Sequence, residues 1–490
     1  MRSLRLVALL AIPAQIAFGQ QPSASGPVKV LTLEEAIATA QRNNPALHQT
    51  ENALRTSDAQ VRSAYGQLLP QAGANFRTTF NQGGTQYIQG VPIPGSNGDS
   101  YQSGYSVGLS YNLAASAAFA PRAAKAFRNA AEADVSSSAE FVRSEVARLY
   151  ITALQSEALA AVLDSLVQTA AGQVNLVTAK MEAGAGTIID VRTAEVTLGQ
   201  SQVSALTTRN QSLVDKLRLF QTMGVPGDTN VQLTTTFSVA KPTFSLDSVL
   251  DLARRANPDV AARKLRADAS ELQVRVAQSA YMPSLSLSTG WGWSAFGYTN
   301  SEILALRAQA SAESAYNGCL RQDSLRVGAG LSHLSCGSPI LTADQLSEER
   351  AKNQPFKFAK SPFSVSATIN LPLFNGFQRE QQLQQARVGR DNATYDLRAR
   401  RLQLETDVTQ FYLQLVTSAK TVELQTQIAA KAAEDLALNE ASYRVGAKTF
   451  LDVSTARATY EKTQIDRVNS IYEYHKAFAA LENAVGRPLR

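Results

Sequence analysis

Two periodicities divide this chain. Over most of its length apolar residues return at steps of three and four, as in Val142, Val146, Leu149 and Ala153, then Leu159, Val162 and Leu166. That spacing marks helices with a coiled-coil-like stripe that must be buried on neighbouring helices. In four short segments the period falls to two. Within SLSLSTGWGW, Leu285, Leu287, Thr289, Trp291 and Trp293 share one face, and Ser284, Ser286, Ser288, Gly290 and Gly292 share the other. Phe363, Val365, Ala367, Ile369 and Leu371 oppose Ser364, Ser366, Thr368 and Asn370, and Tyr105, Val107, Leu109, Tyr111 and Leu113 oppose Ser106, Gly108, Ser110 and Asn112. Residues 72–80 set Phe76 and Phe80 against Asn75, Arg77 and Thr79. Strands of about ten residues, apolar on one side and polar on the other, are what a transmembrane barrel requires. A soluble sandwich is the alternative, but four strands separated by long helices leave no second sheet to cover the apolar face. Four strands cannot close a membrane barrel, whose smallest single-chain form has about eight, so the pattern predicts an oligomer.

The same patterns occur twice. Leu33, Ala40, Arg42, Asn44, Pro45 and Pro70 match Leu246, Ala253, Arg255, Asn257, Pro258 and Pro283 at a constant offset of 213. Tyr105–Leu113 matches Phe363–Leu371 at 258, and Gly184, Thr187, Asp190, Val191, Ala194, Gly224 and Pro226 match Gly446, Thr449, Asp452, Val453, Ala456, Gly486 and Pro488 at 262. Three ordered blocks predict a tandem duplication: repeat 1 over 20–226, a linker at 227–243, and repeat 2 over 244–490. The hairpins fall at about 71–113 and 284–373, and the second carries an inserted loop, 297–360, rich in Gly, Ser and Asn.

No proline lies between Pro121 and Pro226 or between Pro372 and Pro488, and both stretches are rich in strong helix formers. Each is interrupted by a glycine turn, at Gly184 to Gly186 and at Gly446, predicting helices of about 60 and 35 residues, the longer spanning roughly 90 Å. A shorter helix opens each repeat, at about 33–67 and 247–280. Thr32 and Glu35 have the spacing of a capping box.

Composition adds the compartment. Arg2 and Arg5 precede an apolar stretch from Leu6 to about Ala17, with small residues ahead of Gln20, the layout of a signal peptide over 1–19. That run is too short for a membrane anchor, and no later run of helical membrane length is found. The only cysteines, Cys319 and Cys336, either close a loop in an oxidising compartment or remain free thiols. The formal charge of +6, two units of it in the signal segment, includes no dense basic run and gives no support for a nucleic-acid partner. His48, His333 and His475 are scattered without metal-ligand spacing. Gly184-Ala-Gly186 and Gly328-Ala-Gly330 lack the third glycine of a dinucleotide loop. No metal, cofactor or enzymatic reaction is expected.

A signal peptide, two repeats of helix, hairpin and long helical pair, and a glycine turn followed by Thr and Asp together resemble the TolC-like outer membrane efflux proteins of Gram-negative bacteria. The most specific part is Ser442-Tyr-Arg-Val-Gly-Ala-Lys-Thr-Phe-Leu-Asp-Val453, echoed by Lys180 to Val191. The resemblance implies a mainly α, mixed fold: a homotrimeric twelve-stranded barrel in outer-membrane lipid, continued by a long periplasmic α-helical barrel. It implies an exit duct for an inner-membrane pump, in efflux or type I secretion, joined through a periplasmic adaptor. The turns holding Gly184, Gly186 and Gly446 would meet the adaptor. Tyr443, Lys448, Asp452 and Asp190 would form the periplasmic gate, with Thr455 standing where a family relative carries a second acid. The competing role for the aspartates is helix capping, because Thr187-x-x-Asp190 and Thr449-x-x-Asp452 have capping-box spacing. Tyr105, Tyr111, Trp291 and Trp293 would belong to an interfacial aromatic girdle. A secreted structural or adhesive coiled-coil protein without a pore is the alternative function.

Overall fold

The computed structural model describes residues 29–84, 86–88, 91–93, 98–354 and 356–489; the expected signal peptide lies outside them. The first half runs β1 (Lys29–Leu31), α1 (Leu33–Asn43), α2 (Pro45–Gly66), β2 (Gln71–Asn81), β3 (Gln86–Ile88), β4 (Val91–Ile93), β5 (Ser100–Ala114), α3 (Ala115–Glu182) and α4 (Ile188–Met223). After β6 (Val231–Leu233) the order returns with α5 (Leu246–Ala256), α6 (Pro258–Ser279) and β7 (Ser284–Tyr298). Then come α7 (Glu302–Gly328), α8 (Ala343–Ala351), β8 (Ala359–Lys360), β9 (Ser364–Asn370), α9 (Gln378–Arg444) and α10 (Phe450–Val485). The chain forms two compact units. Unit 1 takes the residues up to Glu51, Asp134–Asp259 and those from Arg401; unit 2 takes Asn52–Ala133 and Val260–Arg400.

Unit 2 is built on an antiparallel sheet in the order β2, β5, β7, β9, with β8 pairing the upper part of β7. β5 and β7 pair along fifteen residues, from Ser100 opposite Tyr298 to Ala114 opposite Ser284. Rows of side chains fall in register: Phe76 beside Tyr105 beside Trp293, and Leu109 beside Thr289 beside Val365. Phe76, Phe80, Tyr105, Val107, Leu109, Val365 and Ile369 are exposed on the apolar face. On the other face Ser288 and Ser366 share a hydrogen bond of 2.6 Å. Among the described residues no strand pairs with the outer edge of β2 or of β9.

Unit 1 packs helices around Leu31, Val146, Tyr150, Leu219, Met223 and Val231. A two-stranded parallel sheet, β1 with β6, ties the start of the chain to the expected linker. The Tyr150 hydroxyl donates to the Leu31 carbonyl at 2.8 Å, and 262 residues later the Tyr412 hydroxyl donates to the Phe244 carbonyl at 3.3 Å.

Several expectations are corrected. The single opening helix of each repeat is broken at Asn44–Pro45 and Asn257–Pro258, because proline removes a backbone donor and pushes the preceding residue out of the α region. Asn44 has φ −66° and ψ 120°. Its Oδ1 accepts from the Ala46 and Leu47 amides, and its Nδ2 donates to the Thr222 carbonyl at 2.7 Å. Asn257 Nδ2 reaches the Ala484 carbonyl at 2.9 Å in the same way. The helices α4 and α10 end in left-handed Gly224 and Gly486, where a Cβ would sit 2.2 Å from the Asn43 carbonyl oxygen and 2.6 Å from Pro258 Cδ. Glycine is therefore required where each Asn-Pro corner docks.

The long helices α3 and α9 reach 68 and 67 residues, exceeding expectation, and α3 begins before Pro121 and contains it. Against the expectation of no apolar run after the signal segment, α3 includes a stretch long and apolar enough to cross a membrane. That stretch is apolar because α3 lines helical cores, supplying Val142, Val146, Tyr150, Ala153 and Leu154 to the main one. The insert 297–360 is not a loop: β7 continues to Tyr298, and α7 and α8 follow. Its Ala, Leu, Arg, Gln and Glu content between 302 and 328 outweighs the Gly, Ser and Asn elsewhere. Cys319 and Cys336 are joined in a disulfide, and Asn353 holds β7 through two bonds to the Tyr298 backbone.

Replacing Asn44 by Ala strands the Thr222 carbonyl and uncaps α2. The expected cost is about 1–3 kcal/mol, read as a lowered unfolding midpoint, with Asn257→Ala giving a similar and separate loss.

Candidate functional site

The turn residues singled out by sequence lie in unit 1, at the α3–α4 and α9–α10 junctions. Each junction closes with the Schellman pattern, in which a left-handed glycine lets two amides reach back. Gly446 (φ 79°) donates to the Tyr443 carbonyl at 3.1 Å and Ala447 to the Ser442 carbonyl at 2.9 Å. Gly184 (φ 72°) and Ala185 bond to Met181 and Lys180 in the same way. At Gly186 a Cβ would lie 3.2 Å from the Met181 amide nitrogen, and the corresponding residue of the second turn is Lys448.

The next residues start the returning helices. Thr187 and Thr449 are N-caps, and Asp190 and Asp452 complete reciprocal capping boxes. The Asp452 carboxylate accepts from the Thr449 amide at 2.8 Å and its hydroxyl at 2.7 Å; Asp190 accepts from Thr187 at 3.1 and 2.8 Å. These bonds hold the Asp452 carboxyl below the usual carboxylate range, with Lys448 adding a smaller effect. Asp452 nevertheless remains at the surface, so capping leaves its charge presented to solvent.

Tyr443 is not a free turn residue. It is buried with Val177, Val191, Phe450 and Val453, its ring centroid 6.1 Å from that of Phe450. The Lys180 ammonium lies 3.8 Å from the centre of its ring and donates to its carbonyl oxygen. One cation thus meets both a π face and the end of a helix, where negative potential is concentrated. Burial, followed by the charge of Asp190, pushes the Tyr443 phenol above its ordinary value, so it stays protonated at neutral pH.

Behind the turn lies a polar cluster that sequence reasoning missed. Arg457 is only 5% exposed. It reaches Glu440 at 2.6 Å and Gln173 at 3.4 Å, tying α10 to α9 and α3. Nothing local announces this, because the partners are 17 and 284 residues away. One turn on, burial raises the Glu461 carboxyl, with Arg457 opposing.

The aromatic residues separate into two levels. Tyr105 stacks on Trp293 with centroids 4.9 Å apart, and Trp291 meets Phe363 at 5.1 Å. Tyr111 is six residues further along β5, about 20 Å away, opposite Leu287. Among the described residues no group of His, Cys, Asp and Glu could hold a metal ion.

Residues 36–225 and 340–487 match the family of outer membrane efflux proteins. The chain belongs to that family. A comparison with curated proteins gives no match. The fold is similar to that of the outer membrane protein VceC of Vibrio cholerae, with TM-score 0.69 and 19% identity, covering 94% of this chain and 97% of that one. It is similar to the CmeC outer membrane channel of Campylobacter jejuni, at 0.70 and 15%, covering 93% and 85%. The open state of the MtrE outer membrane channel of Neisseria gonorrhoeae gives 0.68 and 16%, covering 94% and 89%. This family member is therefore an outer-membrane protein of the efflux class. Most of the insert, including all of α7, lies outside the family match.

Because the folded protein raises the Glu461 carboxyl, its ionised form opposes folding at neutral pH, and that opposition fades as pH falls toward the ordinary glutamate value. Glu461→Gln should raise the unfolding midpoint at pH 7 and leave it unchanged near pH 4, as measured by thermal unfolding at both values.

Proposed function

We propose that three copies of this chain close a twelve-stranded barrel and act as the outer-membrane exit duct of a tripartite efflux or type I secretion system. Substrate would pass from an inner-membrane pump, joined to the duct by a periplasmic adaptor protein. The observation that carries the reading is the sheet of unit 2: four antiparallel strands, apolar on one exposed face, polar on the other, with both outer edges unpaired among the described residues. In hydrocarbon those edges need partners, and copies of the same sheet supply them. Threefold closure is what the resemblance to the TolC-like proteins implies. Membership of the outer membrane efflux family favours a duct over the pore-free coiled-coil alternative.

The gate is assigned to the α3–α4 and α9–α10 turns. Asp452, capped but only half-buried, presents a carboxylate from each copy, and Lys448 lies four residues before it. Tyr443 acts from within: held by Lys180, it fixes the α9 end against α3, and Asp190 sets the start of α4. The glycine turns at Gly184, Gly186 and Gly446 offer the adaptor short, helix-capped surfaces. Tyr105, Trp291 and Trp293 form one interfacial belt, and Tyr111 faces the opposite boundary of the apolar band.

Native mass spectrometry of the detergent-solubilised mature protein should give three times the protomer mass, and planar bilayers should show single-channel steps. A ring of carboxylates in a narrow lumen concentrates cations, so Asp452→Ala should weaken block by multivalent cations about tenfold while conductance is kept or raised. Unchanged block in a folded trimer would refute the gate role and leave Asp452 a capping residue alone.

A further inference from the structure

The four long strands contain a single charged residue. β5, β7 and β9 have none, and β2 has Arg77. Its register places it with Asn75 and Thr79 on the polar face, directly opposite Gly104 and in line with Ser294. Because Gly104 and Ser294 are small, the guanidinium borders a cavity of about 350 Å³ lined by Arg77, Thr79, Asn81, Gln102, Gly104 and Ser294. Arg77 Nε donates to the Thr79 hydroxyl at 3.2 Å. No carboxylate among the described residues pairs with it, and its side chain is exposed.

The strand pattern decides where this charge points. With the apolar face toward lipid, the polar face lines the lumen. Threefold closure then repeats Arg77 at one level of the wall. The wall around it offers hydroxyls, amides and glycine but no acid to neutralise it. A guanidinium presents a planar fork of donors that matches phosphate and carboxylate oxygens, and rings of arginine select anions in pores.

We infer that Arg77 forms a ring of three cations in the barrel lumen that binds multivalent anions, bearing phosphate or carboxylate groups, and makes this section of the duct anion-selective. The inference rests on the trimeric-duct reading above and names the cargo chemistry the barrel section favours. It assigns the two sections opposite preferences: carboxylates at the helical turns attract cations, and Arg77 in the barrel attracts anions.

Inorganic tripolyphosphate, added to either chamber of a planar bilayer holding the full trimer, is the probe. Wild-type channels should be blocked from at least one side. Arg77→Gln should raise the half-blocking concentration about tenfold, Arg77→Lys should retain the block, and Arg77→Glu should replace it with block by spermine. Equal tripolyphosphate block of wild-type and Gln channels of normal trimer mass and conductance would overturn the Arg77 assignment alone. So would a wild-type channel that tripolyphosphate does not block. A protein with neither trimer mass nor current would overturn the duct reading and this inference together.

Discussion

Backbone hydrogen bonding in hydrocarbon is the constraint on which the rest of this structure depends. Lipid offers no partner for an amide or a carbonyl, so a spanning sheet must have no open edge. Here β5 and β7 satisfy each other along fifteen residues, while among the described residues β2 and β9 each leave one side unpaired. One chain therefore carries an unfinished wall. Its sidedness is already complete: aromatic and aliphatic residues occupy one face, hydroxyls and glycines the other. The proposed trimer would finish that wall with two further copies of the same sheet. α3 begins one residue after β5 ends, so its path starts where the sheet leaves it.

The helical unit is held by a few buried polar contacts, each with a counterpart in the other half of the chain. Asn44 and Asn257 dock helix corners onto the ends of α4 and α10, and Tyr150 and Tyr412 fasten α3 and α9 to backbone carbonyls. Such contacts fix orientation more than they add stability, because a satisfied buried hydrogen bond contributes only about 1 kcal/mol net. Their value lies in the cost of breaking them. A long helix packed by small residues such as Ala153 and Ala194 could otherwise slide by a turn.

How far the sequence reveals this depends on whether the relevant interaction is local. The strands were legible because alternation is a property of neighbouring residues: Ser284 to Trp293 reads directly as a two-faced strand. The capping spacing of Thr449 and Asp452 is equally local. The Asn-Pro breaks were present in the letters but were outweighed by helical periodicity on both sides. In the insert, scattered glycine and serine residues point to a loop, yet the run of helix formers ending at Gly328 folds as α7. Lys180 against Tyr443, and Arg457 between Glu440 and Gln173, could not be read at all. Those pairings depend on how separate helices line up side by side, at separations from 17 to 284 residues, which no local pattern encodes.

Unit 1 is assembled from three separated stretches of chain: the beginning, the middle and the end. β1 pairs with β6 some 200 residues later, and the bond from Asn257 to the Ala484 carbonyl spans 227 residues. Contacts so distant in sequence carry a large loop-closure cost and form slowly. Export delivers the chain one end first, so this unit cannot complete its core during transit. Completion of unit 1 therefore waits on the segment from Arg401 onward, whatever the earlier stretches have already formed.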